Sequence, residues 1–135
     1  MKDDCIFCKL ANGVFPTNSI YEDDTFNVIL DAGPATKGHA LILPKEHYDN
    51  LYELPDETAG KAMILAKKLA GEMSIRLNAD GLNVVQNNGE AAGQTVMHYH
   101  LHLIPRYKND GQHILWQPSE PSKEELSETR DLLKM

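Results

Sequence analysis

In the run Val96-Met97-His98-Tyr99-His100-Leu101-His102-Leu103-Ile104, histidine takes every second position and the residues between are apolar or aromatic. A period of two is the mark of a β-strand, whose successive side chains point to opposite faces. The spacing predicts a strand over residues 96–104. His98, His100 and His102 share one face; Met97, Tyr99, Leu101 and Leu103 share the other. Half of the six histidines lie in these five residues. Imidazole titrates near neutrality and serves as nucleophile, general base, general acid or metal ligand. Residues two apart on a strand have Cα atoms roughly 6.5–7 Å apart, so neighbouring imidazoles can converge on one atom. His98 and His102 stand too far apart on a straight strand for one metal to take all three. A solvated polar face and a purely metal-binding row are the competing readings.

A chain of 135 residues suits a single domain, 1–135, with one core. The net charge of −7 argues against general binding to nucleic-acid phosphate, though not against one small anion held locally. No run of about 18 apolar residues is present, so no membrane span is expected. Met1-Lys2-Asp3-Asp4-Cys5 lacks the apolar segment of a signal peptide, and a cytoplasmic location is expected. Cys5 and Cys8 form one C-x-x-C pair. A structural disulfide is not expected in a reducing compartment, which leaves metal binding or redox chemistry.

The remaining segments read as follows. Residues 4–12 suit a short helix capped by Asp4. Phe26–Leu30 is a strand ended by Asp31-Ala32-Gly33-Pro34. His39–Pro44 is a strand stopped by its proline. From Asp56 to Asn78, Ala62, Ala66, Leu69, Met73 and Leu77 form a helical stripe, with Lys61, Lys67, Lys68, Glu72 and Arg76 on the other faces. Leu82–Gln86 is a strand. Ser122 and Glu125 form a capping box opening a helix over about 123–134. Clustered strands with few helices give an α+β fold: an antiparallel sheet of about five strands, one long helix and a C-terminal helix.

The polar loop Asn87–Gln94 runs straight into the histidine strand. Gly93 permits close backbone approach to a ligand. Asn87, Asn88, Gln94 and Thr95 offer amide, hydroxyl and backbone donors. Such groups suit an anionic phosphoryl group held before a histidine; an ordinary Asn-Gly turn is the simpler alternative.

The segment His98–Ile104 fits the pattern His-φ-His-φ-His-φ-φ and resembles the histidine triad (HIT) superfamily. Cys5–Lys9, Tyr21–Asp23, Leu30-Asp31, Gly38–Lys45, Asn87–Gly89 and Ala92–Val96 resemble its other blocks, in its order, over roughly residues 5–107. The resemblance implies a bacterial-type nucleotide hydrolase or transferase acting at an α-phosphate. His100 would be the nucleophile, forming a covalent nucleotidyl-histidine. His102 would contact the phosphoryl group, and His39 would assist proton movement or be a satisfied half-buried histidine. Gln94 and Thr95 correspond to phosphate and leaving-group contacts, and Asn87 to a phosphate-side asparagine. Asp31 corresponds to the carboxylate that accepts the ribose hydroxyls. Ile6, Phe7, Leu10, Ile29 and Leu41 correspond to the apolar clamp on a purine base. Ala32 departs from the larger aliphatic residue many members carry there, which loosens the expected base pocket. No catalytic metal is required by such a mechanism.

Cys5 and Cys8 supply two of the four ligands a structural zinc wants. In the members that complete such a site, histidines at the positions of His47 and His98 do so. A redox pair and two free cysteines are the alternatives. The expected substrate is a purine nucleotide: a phosphoramidate or acyl-nucleotide releasing AMP or GMP, or a dinucleoside polyphosphate. A non-catalytic nucleotide-binding module and an all-zinc use of the histidines are the competitors from other classes. The resemblance also implies a homodimer, with helix 56–78 as a candidate interface and Trp116 reaching the partner's site.

Overall fold

Alternation along the central strands decides the architecture. The computed structural model describes residues 1–135. The elements in chain order are α1 (Ile6–Ala11), β1 (Ser19–Glu22), β2 (Phe26–Leu30), β3 (Ala40–Pro44), α2 (Asp56–Leu77), β4 (Gly81–Val85), β5 (Leu101–Arg106) and α3 (Lys123–Leu133). The five strands make one antiparallel sheet in the order β1-β2-β3-β5-β4. This is the α+β arrangement expected.

On one face, Phe26 and Val28 of β2, Ala40 and Ile42 of β3, and Leu101 and Leu103 of β5 pack with Tyr99 against Ala62, Leu65, Ala66, Leu69 and Met73 of α2. Phe26 is fully enclosed; truncating such a residue to alanine costs about 3–5 kcal/mol. On the other face, Ile29, Leu41 and Leu43 meet Ala11, Phe7 and Leu10 of α1. One face thus carries a helix of 22 residues and the other a helix of 6. The short helix leaves part of its face uncovered, and His102 opens onto it. His102 pairs with Leu41 on β3 and Val85 on β4.

Asp56 and Glu57 in the first turn of α2 complement the positive end of its dipole. Asn78 closes the helix in the left-handed region, φ 52°. Gly38, at φ +92°, lets the chain pass beside that end, where a Cβ would collide with Leu77.

Two local expectations need correction. The cap of α1 is Cys5, not Asp4: Cys5 Sγ accepts the Cys8 N–H at 3.3 Å. The capping side chain must come from the residue directly before the first turn, and that residue is Cys5. The histidine strand begins at Leu101, not near Val96. Before it, the His98 N–H bonds the Val96 carbonyl and the Tyr99 N–H bonds the Tyr48 carbonyl, so no ladder forms. Met97 is therefore 45% exposed instead of joining Tyr99 in the core.

Candidate active site

The uncovered part of the sheet is a cleft of about 660 Å³, within the range of small-molecule sites. Phe7 and Leu10 come from α1, Ile29 and Leu30 from β2, and Leu41 from β3. Asp31, Thr95, His100 and His102 supply the polar groups. Pro16, Thr17, Asn18, Ala32 and Pro34 complete the wall. The structure thus brings together most of the residues expected at a nucleotide site.

His100 is buried, and its Nδ1–H donates to the His98 carbonyl at 2.7 Å. A carbonyl only accepts, so the hydrogen sits on Nδ1 and Nε2 keeps its lone pair. Burial lowers the pKa of His100, against the opposing pull of that carbonyl and of Asp31. The Phe7 ring meets His100 edge-on at 4.8 Å, and the His102 ring lies 4.9 Å away. His102 Nδ1 is 2.9 Å from His39 Nε2. Burial, followed by the neighbouring His100 and His39, pushes His102 down to about 4. Burial also lowers His39, while Asp31 pulls it back. The Asp31 carboxylate lies 3.6 Å from His39 Nε2 and accepts the Gly33 N–H at 2.8 Å. Burial thus favours the uncharged form of all three imidazoles.

Three expected residues stand apart from the cleft. Gln94 is buried, with Oε1 accepting the Gly89 N–H and Nε2 donating to the carbonyls of Asp49 and Val96 at 2.7 and 3.0 Å. Its amide is committed to shaping the loop that presents Thr95. Asn87 approaches Gly93 within that loop, 3.8 Å from where a Cβ would stand. Ile6 is 44% exposed and lines an adjoining depression with Cys5, His47 and Met97, which meets the cleft at Thr95. Ile6 stands four residues before Leu10 and lies on the same side of α1, but only Phe7 and Leu10 of that side line the cleft.

Beside the cleft, Cys5, Cys8, His47 and His98 bring four ligand atoms within 4.8 Å of one another and can hold a metal ion. Cys5 Sγ and Cys8 Sγ each lie 3.4 Å from His98 Nδ1, and Cys8 Sγ lies 3.3 Å from His47 Nδ1. Tetrahedral zinc with bonds of about 2.3 Å to sulfur and 2.0–2.1 Å to nitrogen separates such atoms by about 3.5 Å. Both histidines present the correct nitrogen. His98 Nε2–H donates to the Pro44 carbonyl at 2.9 Å, and His47 Nε2 meets Asp49 Oδ1 at 2.7 Å. Each Nδ1 is left with a lone pair aimed at the sulfurs, the usual arrangement behind a metal-binding histidine. The donor set and its supports fit zinc. Asp49 was not singled out from the sequence; a carboxylate two residues after a ligand histidine is the signal that finds it. Thr17 and Asn18 carry no such signal.

Residues 12–109 match the HIT domain family. The chain is 44% identical over 116 residues to Protein hit of Bacillus subtilis strain 168, covering 85% of this chain and 80% of that one. It is 41% identical over 123 residues to adenosine 5'-monophosphoramidase HNT1 of Saccharomyces cerevisiae, covering 90% and 75%. The crystal structure of a zinc-bound histidine triad family protein from Mycobacterium smegmatis superposes with a TM-score of 0.78 at 39% identity, covering 86% of this chain and 84% of that one. With the family's domain matched across most of its length and its three alternate histidines set at the cleft and the ligand cluster, the chain belongs to the histidine triad family.

Proposed function

We propose that the protein is a nucleotide hydrolase that releases AMP, or another purine mononucleotide, from a nucleoside phosphoramidate or acyl-nucleotide through a nucleotidyl intermediate on His100. The observation that carries this reading is the free Nε2 of His100 inside a nucleotide-sized cleft, its other nitrogen held by the His98 carbonyl. The Nε2 lone pair forms a bond to the α-phosphorus as the bond to the leaving nitrogen or oxygen breaks. The imidazolium so formed keeps its Nδ1–H on the His98 carbonyl, which stabilises the positive charge. His102 contacts the phosphoryl group, and the His39–His102 pair, taking up one proton from solvent as the anionic substrate binds, passes that proton to the departing atom and returns to neutral. Water then attacks phosphorus, its proton passes to solvent, and the N–P bond breaks to return neutral His100. Thr95 contributes at the phosphate, and Gln94 acts by holding its loop. Asp31 accepts the ribose hydroxyls, and Phe7, Leu10, Ile29 and Leu41 enclose the base.

Cys5, Cys8, His47 and His98 would hold zinc, which when bound supplies a structural tie between α1 and the segment bearing the nucleophile. The name of the yeast relative supports the phosphoramidate branch. A homodimer fits the exposed α3, whose Leu126, Leu132 and Leu133 have no apolar cover within the chain.

The test is AMP release by wild type and His100→Ala on adenosine phosphoramidate and on a diadenosine polyphosphate. Turnover by wild type alone supports the hydrolase, and preference for the phosphoramidate supports the branch. No turnover of either by folded wild type overturns the reading.

A further inference from the structure

We propose that the backbone N–H of Ala35 fixes the tautomer of His39 and, through it, of His102, and that Gln112 and Tyr107 are positioning residues that hold Ala35 in place. The kinetic part rests on the hydrolase reading above; the tautomers themselves do not.

The Ala35 N–H donates to His39 Nδ1 at 2.9 Å. A backbone amide cannot accept, so His39 Nδ1 carries a lone pair and the neutral ring must hold its hydrogen on Nε2. That nitrogen faces His102 Nδ1 at 2.9 Å, with the Asp31 carboxylate 3.6 Å away as a second attraction for the hydrogen. His102 Nδ1 therefore accepts, and the hydrogen of neutral His102 sits on Nε2. In the opposite tautomer, His39 Nδ1–H would face the Ala35 N–H across 2.9 Å, donor against donor. His100, fixed by the His98 carbonyl, has its lone pair on Nε2. Two imidazoles with centroids 4.9 Å apart are thus set as unlike partners, one a lone-pair nucleophile and one an N–H donor.

The same reasoning bears on Asp31, His39 and His102 as a metal cluster, since their ligand atoms also lie within 4.8 Å. A metal there needs the Nε2 lone pair of His39, which the Ala35 N–H withholds.

The segment that carries this amide is held at the peptides just after it from the C-terminal side of the chain. Gln112 Nε2 donates to the Ala35 carbonyl at 2.8 Å, and Tyr107 Oη donates to the Lys37 carbonyl at 2.7 Å. Thr36 Oγ1 donates to the Pro105 carbonyl between them. Gln112 is exposed and Tyr107 half-buried, so both tolerate substitution without loss of the core.

The experiment is long-range ¹H–¹⁵N spectroscopy of the imidazoles at pH 7.5, with kcat and KM on adenosine phosphoramidate. It compares wild type, Gln112→Ala, Tyr107→Phe and the double variant, with Ala35→Pro where that variant folds. Wild-type His39 and His102 are expected to show Nε2–H and unprotonated Nδ1. The double variant is expected to mix the tautomers and to lose kcat by about fivefold per hydrogen bond removed, with KM little changed. Ala35→Pro, which deletes the N–H, is expected to give the largest loss. An Nδ1–H tautomer at His102 in wild type overturns the proposal. So do unaltered tautomers in the double variant, whatever happens to kcat. If wild type turns over no substrate, the hydrolase reading fails, while the spectra still decide the tautomers.

Discussion

His98 and His100 are the same side chain two residues apart, and the fold leaves a different nitrogen free on each. Pro44 offers its carbonyl to Nε2 of His98, leaving Nδ1 to face two sulfurs. His98 offers its own carbonyl to Nδ1 of His100, leaving Nε2 to face the cleft. One backbone carbonyl on each ring decides which nitrogen is left free. Residue type sets what an imidazole can do, and the acceptor behind it sets which of its nitrogens does it. The two sites share one residue: the ring of His98 faces the sulfurs, and its carbonyl orients the ring of His100.

The largest effect should break this division at His100. His100→Ala is expected to lower kcat by about 10⁴-fold or more, as removal of a covalent nucleophile does. Metal content measured by mass spectrometry should stay unchanged. His98→Ala should lose both metal and activity. If His100→Ala also loses the metal, the two rings do not have separate roles.

The next effect sharpens the metal side. Cys8→Ala, or chelation of metal-loaded wild type, should lower the melting temperature by roughly 15 °C. That corresponds to about 4 kcal/mol, the stabilisation expected at a thousandfold excess of metal over its dissociation constant. Calorimetry with and without chelator measures it, and equal melting temperatures would remove the metal from the account.

The comparison between Phe7 and Ile6 tests which side chains of α1 meet the ligand. Phe7 packs on His100, whereas Ile6 faces the adjoining depression. Phe7→Ala is expected to raise KM by about tenfold, the equivalent of losing part of a buried aromatic contact. Ile6→Ala should change it less than about twofold. Equal effects would place Ile6 at the base.

A smaller effect concerns pH. His102 sits at about 4 and His39 is also lowered, both by burial. An unfolded histidine titrates near 6.5, so between 6.5 and 4 the unfolded chain binds more protons than the folded one. These two groups therefore make stability fall as pH drops from 6.5 towards 4, with no further loss from His102 below that. Urea midpoints of metal-free protein at pH 7 and pH 5 should differ in that direction, and His102→Asn should narrow the gap.

Much of this was legible in the sequence because it rests on local period and chemistry. The stripe Ala62, Ala66, Leu69 and Met73 forms the buried side of α2. His100, His102, His39, Asp31, Thr95, Phe7, Leu10, Ile29 and Leu41 stand at or against the cleft, and the four expected ligands converge. What escaped depends on backbone partners. Period two describes which face a residue takes, not where the ladder starts. The bonds of His98 and Tyr99 to carbonyls outside the sheet end the strand early. Gln94 read as a ligand donor because its amide is polar, but Asp49 and Val96, which bond that amide, are not apparent from spacing alone. The role of the Ala35 amide likewise appears only once the chain has folded.

The most direct test is to trap the intermediate. Wild type is mixed with adenosine phosphoramidate, quenched in alkali, digested, and the peptide spanning His98–His102 is sequenced by mass spectrometry, with phosphorus–nitrogen connectivity read by NMR. The account predicts an adenylyl group on His100, bonded through Nε2. An adduct on His98 or His102, a bond through Nδ1, or steady turnover with no adduct at all would contradict it.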